Sequence, residues 1–257
     1  MRWFALPLAL ALAFLVLPVL AIFLDSPPGE LLDALGEPGA LDALWLSLRT
    51  SVTALAIIVV VGTPAAYLLA TRRFRGRALL ITLIELPLVL PPAVAGIALL
   101  AALGPSGILG GALEDAGVQL TFETAGVVVA LTFVASPYYL RQAQASFGAL
   151  DRSWLDASRT LGASEARTFL RIAIPGAGAG IAAGLALAWG RALGEFGATL
   201  MFAGSLAGIT QTAPLAIYER FATDFEAALA LSAVLVAVSA AILLSVKFFE
   251  GNALRHD

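Results

Sequence analysis

The chain has 257 residues, of which 60% are hydrophobic and 13% charged, with a mean hydropathy of +0.93; soluble domains carry about 25% charged residues, so a water-soluble globule is excluded. Fifteen Lys+Arg against eighteen Asp+Glu leave a net charge of −3, which excludes a basic nucleic-acid surface. With no Cys and one His, His256, the chain has no material for disulfides, thiol catalysis, zinc fingers or His-based triads.

A hydrocarbon layer about 30 Å thick is crossed by about 20 apolar helical residues. Six stretches meet that length: 3–24, 44–71, 78–103, 125–147, 173–204 and 226–249. The first follows Arg2. A cleavable signal peptide ending near Val19-Leu20-Ala21 is its rival, but secretory apolar regions run about 7–15 residues and this one is longer, so an uncleaved span is expected. The other five helices keep their orientation under either reading. Loop 25–42 then carries Asp25, Glu30, Asp33, Glu37 and Asp42 with no base, and loop 72–77 carries Arg72, Arg73, Arg75 and Arg77 with no acid. Loop 104–124 has only Glu114, Asp115 and Glu123, whereas 141–171 has Arg141, Arg152, Arg159, Arg167 and Arg171. With Arg2, Lys247 and Arg255, all of the fifteen bases except Arg49, Arg191 and Arg220 fall on one side. Lys and Arg are retained in the cytoplasm, so both termini, loop 72–77 and segment 141–171 are expected there and three acidic loops outside. The fold class expected is an all-α membrane protein, one transmembrane domain over 1–257.

The spans are not uniform. The second holds Pro64, the third Glu85-Leu86-Pro87 and Pro91-Pro92, and the fourth Pro137. Proline removes a backbone donor and kinks or breaks a helix, which a membrane tolerates where the backbone is buried in protein or lines a cavity. The fifth opens with Gly176, Gly180 and Gly184 and continues to Gly190 and Gly194. Such strips of small residues allow close helix approach. Charges inside the spans call for partners, because each is costly in hydrocarbon. Arg191 and Glu195 lie four apart on one helical face and are expected to pair, so that a charge-reversed double exchange restores assembly better than either single change. Glu85 is expected to pair with a base of the Arg-rich loop, and Arg49 lies near the outer face. Arg49, Glu85, Pro91, Arg191 and Glu195 are the candidates for a pathway or its gate. No internal repeat relates 1–124 to 125–257, so a complete inverted-repeat carrier in one chain is not expected and a symmetric second copy is the natural way to enclose a pathway.

Residues 150–175, LDRSWLDASRTLGASEARTFLRIAIP, are long, mixed in charge and helical in period. Leu150, Trp154, Ala157 and Leu161 form one apolar face. Gly162 interrupts the pattern, and Ser164 is placed to cap a second short helix running to Ile174. Two functions suit such a pair at the cytoplasmic face, an interfacial anchor for the fifth span or a docking element that moves it.

This segment resembles the cytoplasmic loop of permease subunits in bacterial binding-protein-dependent ABC importers, whose pattern is Glu-Ala-Ala, three residues, Gly, nine residues, Ile-x-Leu-Pro. Here Asp156-Ala157-Ser158 precedes Gly162 at that spacing, and after nine residues, opening with Ala163, comes Ile172-Ala173-Ile174-Pro175. Asp for Glu, Ser for the second Ala and Ile for Leu are the departures. RALGEFGATLMFAG at 191–204, TQTAPLAIY at 210–218, Ser47-Leu48-Arg49-Thr50-Ser51, Glu85-Leu86-Pro87 and Pro91-Pro92 are similar to molybdate permeases, with tungstate and sulfate permeases as near relatives. The resemblance implies a type I importer permease fold with six spans and a coupling helix, in a bacterial or archaeal cytoplasmic membrane. It implies a homodimer, two copies of an ABC ATPase subunit that hold ATP and Mg, and an extracytoplasmic oxyanion-binding protein. Asp156, Ala157, Ser158, Gly162, Ala163, Ile172 and Pro175 would form the ATPase-coupling loop, and this chain would bind no cofactor or metal of its own.

Three alternatives differ in kind. A sulfate importer permease of the same family differs only in cargo. A stand-alone secondary carrier has no use for an ATPase dock. An intramembrane enzyme needs a nucleophile with a base or a metal set, and the chain offers no Cys and no HExxH. No P-loop pattern is present, so ATP hydrolysis is expected on another subunit.

Overall fold

The computed structural model describes residues 2–253 apart from 26–28, 30–32 and 34. Glu30, Arg255 and His256, and the side chains of Arg2 and Lys247, lie outside the described residues. Helices account for all of the regular structure described. They are α1 Arg2–Leu24, α2 Ala40–Thr71, α3 Arg77–Val89, α4 Pro92–Leu103, α5 Gly110–Asp115, α6 Thr124–Ala149, α7 Arg152–Thr160 and α8 Glu165–Thr168. A π-helical stretch, Phe169–Ala173, leads into α9 Ile174–Gly176, followed by α10 Gly178–Leu193, α11 Gly197–Ala203, α12 Ala213–Phe221 and α13 Phe225–Ala253.

Two helices, over Ala5–Leu24 and Ala40–Thr71, are long and apolar enough to cross a membrane unbroken. Two of the expected spans are broken. The third bends by 119° between α3 and α4, and the fifth bends by 75° between Glu165–Gly176 and Gly178–Leu193 before breaking again ahead of α11. The first break falls at Leu90 and Pro91, where Pro91 and Pro92 leave no N–H to continue α3. Pro64, Pro87 and Pro137 are carried inside their helices. The expectation of one continuous fifth span, 173–204, is therefore corrected. Its lower break carries Pro175 and its upper break Gly194-Glu195-Phe196, a stretch without proline.

The centre is α2, α6 and α10. Ala54, Leu55 and Ile58 of α2 meet Leu131, Ala135, Tyr139 and Ala143 of α6 and Ala188 and Ala192 of α10. Small residues set the spacing. A Cβ on Gly180 would stand 1.7 Å from Ser146 Oγ, and one on Gly184 3.0 Å from Gln142 Cβ, so two of the expected glycine positions are where α10 touches α6. Tyr139 and Thr63 hydroxyls meet at 2.5 Å, and the Trp189 indole N–H donates to Ser51 Oγ at 3.0 Å, so these four polar side chains find partners among the helices, whereas the buried Tyr67 hydroxyl of α2 has none among the described residues. On the acidic-loop side, Ser47 Oγ accepts the Ala213 N–H at 2.7 Å and holds the start of α12 against α2. Arg220 of α12 pairs with Glu37 ahead of α2 and donates to Pro38 O at 3.2 Å.

Candidate functional site

Three features carry chemistry or motion: the amphipathic hairpin α7–α8, the two broken helices, and the charges at membrane depth.

The hairpin starts where Asp151 accepts the Ser153 N–H at 2.9 Å and so caps α7. That bond favours the carboxylate and holds Asp151 below the usual carboxylate range. Gly162 ends the helix at φ +82°, a left-handed turn that a side chain resists, with Gly162 N–H on Arg159 O and Ala163 N–H on Ser158 O. Ser164 then caps α8 through the Arg167 N–H at 3.3 Å, as its position in the sequence suggests. The second helix does not run unbroken to Ile174, because after Thr168 the winding widens into the π stretch that holds Ile172, and Pro175 follows in α9.

The apolar face is turned the other way from a packing face. Leu155 is the buried anchor of α7, whereas Trp154 is 56% and Leu161 88% exposed, and Ala157 and Asp156 are exposed beside them. The Leu150–Leu161 stripe is thus largely offered outward. Behind it, Ser158 Oγ meets Thr168 Oγ1 at 2.9 Å, and Tyr67 at the end of α2 packs on Phe147 of α6 and Phe169 of the π stretch. Glu165, on which the sequence reading placed no role, joins the pieces. It takes Arg159 Nε at 3.0 Å and Arg72 Nη2, just past α2, at 3.1 Å, while Arg159 also reaches Asp156 at 3.0 Å. The Glu165 carboxylate raises the already high Arg159 value further. The opposite charges at 72 and 165 were visible, but ninety-odd residues of separation hid their meeting.

The two breaks lie side by side. A Cβ on Gly96 of α4 would meet Met201 Cβ at 2.6 Å and Ala198 O at 2.7 Å, and one on Gly197 would meet Pro92 Cβ at 2.8 Å. Helices α4 and α11 therefore pack backbone to backbone, with Ala95, Leu99, Ala198 and Phe202 in a shared cluster with α6.

Arg191 and Glu195 do pair, Nη2 to Oε2 at 2.6 Å, an electrostatic contact rather than a directed hydrogen bond. Glu195 is 1% exposed, and its Oε1 accepts the Ala198 N–H at 2.6 Å, so one carboxylate binds the last turn of α10 to the first turn of α11. Glu85 does not reach the Arg-rich loop. It pairs with Arg141, which lies inside α6, eight residues before the end of that helix, rather than in a loop. Arg49 is exposed on α2 with no ion pair among the described residues, and Pro91 stands at the first break. Among the described residues, no cluster of three or more His, Cys, Asp or Glu is placed to hold a metal.

The profile of a family described as "Binding-protein-dependent transport system inner membrane component" matches residues 59–252. The chain is 41% identical over 245 residues to the molybdenum transport system permease protein ModB of Mycobacterium tuberculosis, covering 95% of this chain and 93% of that one. It is 32% identical over 257 residues to the sulfate transport system permease protein CysT of Salmonella typhimurium, covering 97% and 93%. Among solved structures, a bacterial ABC transporter involved in import of the acidic polysaccharide alginate superposes with a TM-score of 0.75 at 16% identity, over 98% of this chain and 94% of that one.

Proposed function

Because the chain belongs to the inner-membrane components of binding-protein-dependent transport systems, we propose that it is the permease subunit of an ATP-driven importer that moves an oxyanion, molybdate first, delivered by an extracytoplasmic binding protein. It is a multi-pass inner-membrane protein with the type I importer permease fold, and it is a transport subunit rather than an enzyme. Molybdate ranks ahead of sulfate because the molybdenum permease relative is 41% identical and the sulfate relative 32%. Six spans with cytoplasmic termini, a homodimer, and two ATPase subunits holding ATP and Mg complete the reading.

The observation that carries it is the outward stripe of the hairpin. Trp154 and Leu161 exposed on a capped, ion-paired cytoplasmic helix make little sense as a membrane-buried surface, since Asp156, Arg159 and Glu165 flank them. They suit a helix lying in a groove of a soluble subunit. Asp156, Ala157, Ser158, Gly162 and Ala163 form the docking turn, and Ile172 and Pro175 lie on the joint that passes its displacement into α10. Closure of the ATPase pair favours one arrangement of the broken helices and reopening favours the other. Pro91 and the α4–α11 contact are the gate in this scheme, Arg49 is the cation facing incoming anion, and Arg191 with Glu195 keeps the α10–α11 corner rigid as the gate moves.

The test is ATPase activity of proteoliposomes holding this chain with its ATPase subunit, with binding protein loaded with molybdate, tungstate or sulfate. Stimulation by molybdate-loaded protein is expected. Stimulation by sulfate alone would transfer the cargo to sulfate, and transport driven by an ion gradient without the ATPase subunit would overturn the importer reading.

A further inference from the structure

The Glu85–Arg141 pair sits where a purely structural ion pair is hard to justify. Arg141 lies eight residues before the end of α6 at Ala149, and Glu85 eight residues after the start of α3 at Arg77. At 1.5 Å of rise per residue, both lie about 12 Å from the cytoplasmic ends of their helices. Helix α6 is 26 residues long, about 39 Å, so its overhang beyond a 30 Å layer leaves Arg141 inside the hydrocarbon depth. Yet the side chains are 57% and 30% exposed in this chain. A charge at that depth does not face lipid tails. The face of α6 that carries it continues through Ala145 and Gly148, both exposed and small, with Gln144 half-buried alongside. Opposite, α3 has no buried residue at all and breaks five residues beyond Glu85, and broken backbone at membrane depth is tolerated where it lines water or is buried in protein.

We infer that the α3–α6 face bearing Glu85 and Arg141 lines a water-filled inner half of the pathway, and that Arg141 is a contact site for a tetrahedral oxyanion, guarded by Glu85. The inference rests on the oxyanion-importer reading for its ligand, but not for its geometry. Of the other cations at this depth or above among the described residues, Arg191 is held by the buried Glu195 and Arg49 lies toward the opposite end of α2, whereas the Arg141–Glu85 pair is open on both sides and can exchange partners. A guanidinium presents a fork of donors that matches tetrahedral oxyanions. Glu85 keeps the site neutral when empty, so that an arriving dianion exchanges with the carboxylate for Arg141 and leaves when Glu85 returns. Binding is then weak enough for release.

The chain has no cysteine, so Ala145→Cys, one helical turn from Arg141, introduces its single thiol. Proteoliposomes of the whole complex are treated with an anionic sulfonate methanethiosulfonate or its cationic ammonium analogue, and labelling is read on the permease band. The sulfonate reagent is expected to react about tenfold faster relative to the cationic one than it does in Arg141→Gln, and the ratio to rise further in Glu85→Gln. Tungstate or molybdate at millimolar concentration is expected to slow the sulfonate reaction. Arg141→Lys, which keeps the charge, retains the anion preference and serves if Arg141→Gln does not assemble. A thiol at 145 that neither reagent reaches would show the face buried against a partner copy or lipid and overturn the inference. So would a reagent ratio indifferent to residues 85 and 141. Should wild-type ATPase respond to no loaded binding protein while the labelling ratios hold, the cargo reading fails and the water-lined cationic face stands.

Discussion

Glu195 serves two helices with two oxygens, and substitutions separate the services. Glu195→Gln keeps an oxygen for the Ala198 N–H and gives up the charge facing Arg191; Glu195→Ala gives up both and leaves Arg191 without its partner in a nearly closed site. Breaking such a buried pair costs about 3–5 kcal/mol, and losing an N-terminal cap about 1 kcal/mol more. Thermal unfolding in detergent is expected to rank wild type above Glu195→Gln above Glu195→Ala; equal losses for Gln and Ala would remove the capping role. The charge-reversed pair Arg191→Glu with Glu195→Arg restores attraction but leaves Ala198 N–H with no acceptor, so it is expected to recover only partly. The i,i+4 pairing was legible in the sequence, since the charges had nowhere else to go. The cap was not, because a continuous helix through 194–196 has no free N–H at Ala198 to satisfy. At Asp151 the sign of the pH effect follows from its lowered value. Its cap is at full strength above the ordinary carboxylate pKa of about 3.9 and is lost only as pH falls through the lower folded value. Docking of α7 on the proposed ATPase partner, measured from pH 8 to pH 5, is therefore expected to show no step from this group.

Helix α7 carries a division of labour that a stability measurement and a binding measurement distinguish. Leu155 is 4% exposed and packs into the central cluster, so Leu155→Ala is expected to lower the unfolding temperature by the equivalent of about 2–5 kcal/mol. The double variant Trp154→Ala, Leu161→Ala touches exposed side chains and is expected to stay within about 0.5 kcal/mol of wild type. Its affinity for the ATPase subunit, measured by titration of purified components, is expected to fall more than tenfold, as aromatic anchors at interfaces dominate binding. Unchanged affinity would reassign the stripe to lipid. Spacing revealed the stripe and the Gly162 turn because both depend on local backbone chemistry. Its direction was not legible, since periodicity says which residues share a face and not what lies opposite. The same limit explains span five. The break at Pro91 and Pro92 follows from missing N–H groups, whereas the break at 194–196 depends on α4 offering Gly96 to the incoming α11, a contact between segments about a hundred residues apart. That Arg141 stands inside α6 was hidden for a related reason, because counting bases by side does not say where a helix ends.

Across the described residues, burial runs from α2 through the start of α13, where Ala230, Leu231 and Ala233 are buried, and α1 stands apart from it. No residue of Ala5–Leu24 is fully buried in this chain, and among the described residues the main contact of α1 is with α13. The central helices are held by Tyr139, Leu131 and Ile58, and the acidic-loop side by the Ser47–Ala213 bond and the Arg220–Glu37 pair, none of which involves α1. Under the positive-inside rule, Arg72, Arg73, Arg75 and Arg77 after α2 would suffice to orient the remainder. A variant lacking residues 2–24 is therefore expected to insert with loop 72–77 cytoplasmic and to unfold within a few degrees of wild type in detergent. An apolar helix with so little contact in its own chain turns most of its surface to lipid or to a second copy, and in a bilayer the attraction to a copy would come from packing rather than hydrophobicity. Native mass spectrometry of the truncated chain with its ATPase subunit is expected to show fewer assemblies holding two permease copies. A truncated chain that forms the same assemblies in the same proportion would leave α1 to the lipid. One that no longer folds would place α1 in the structural body despite its exposure.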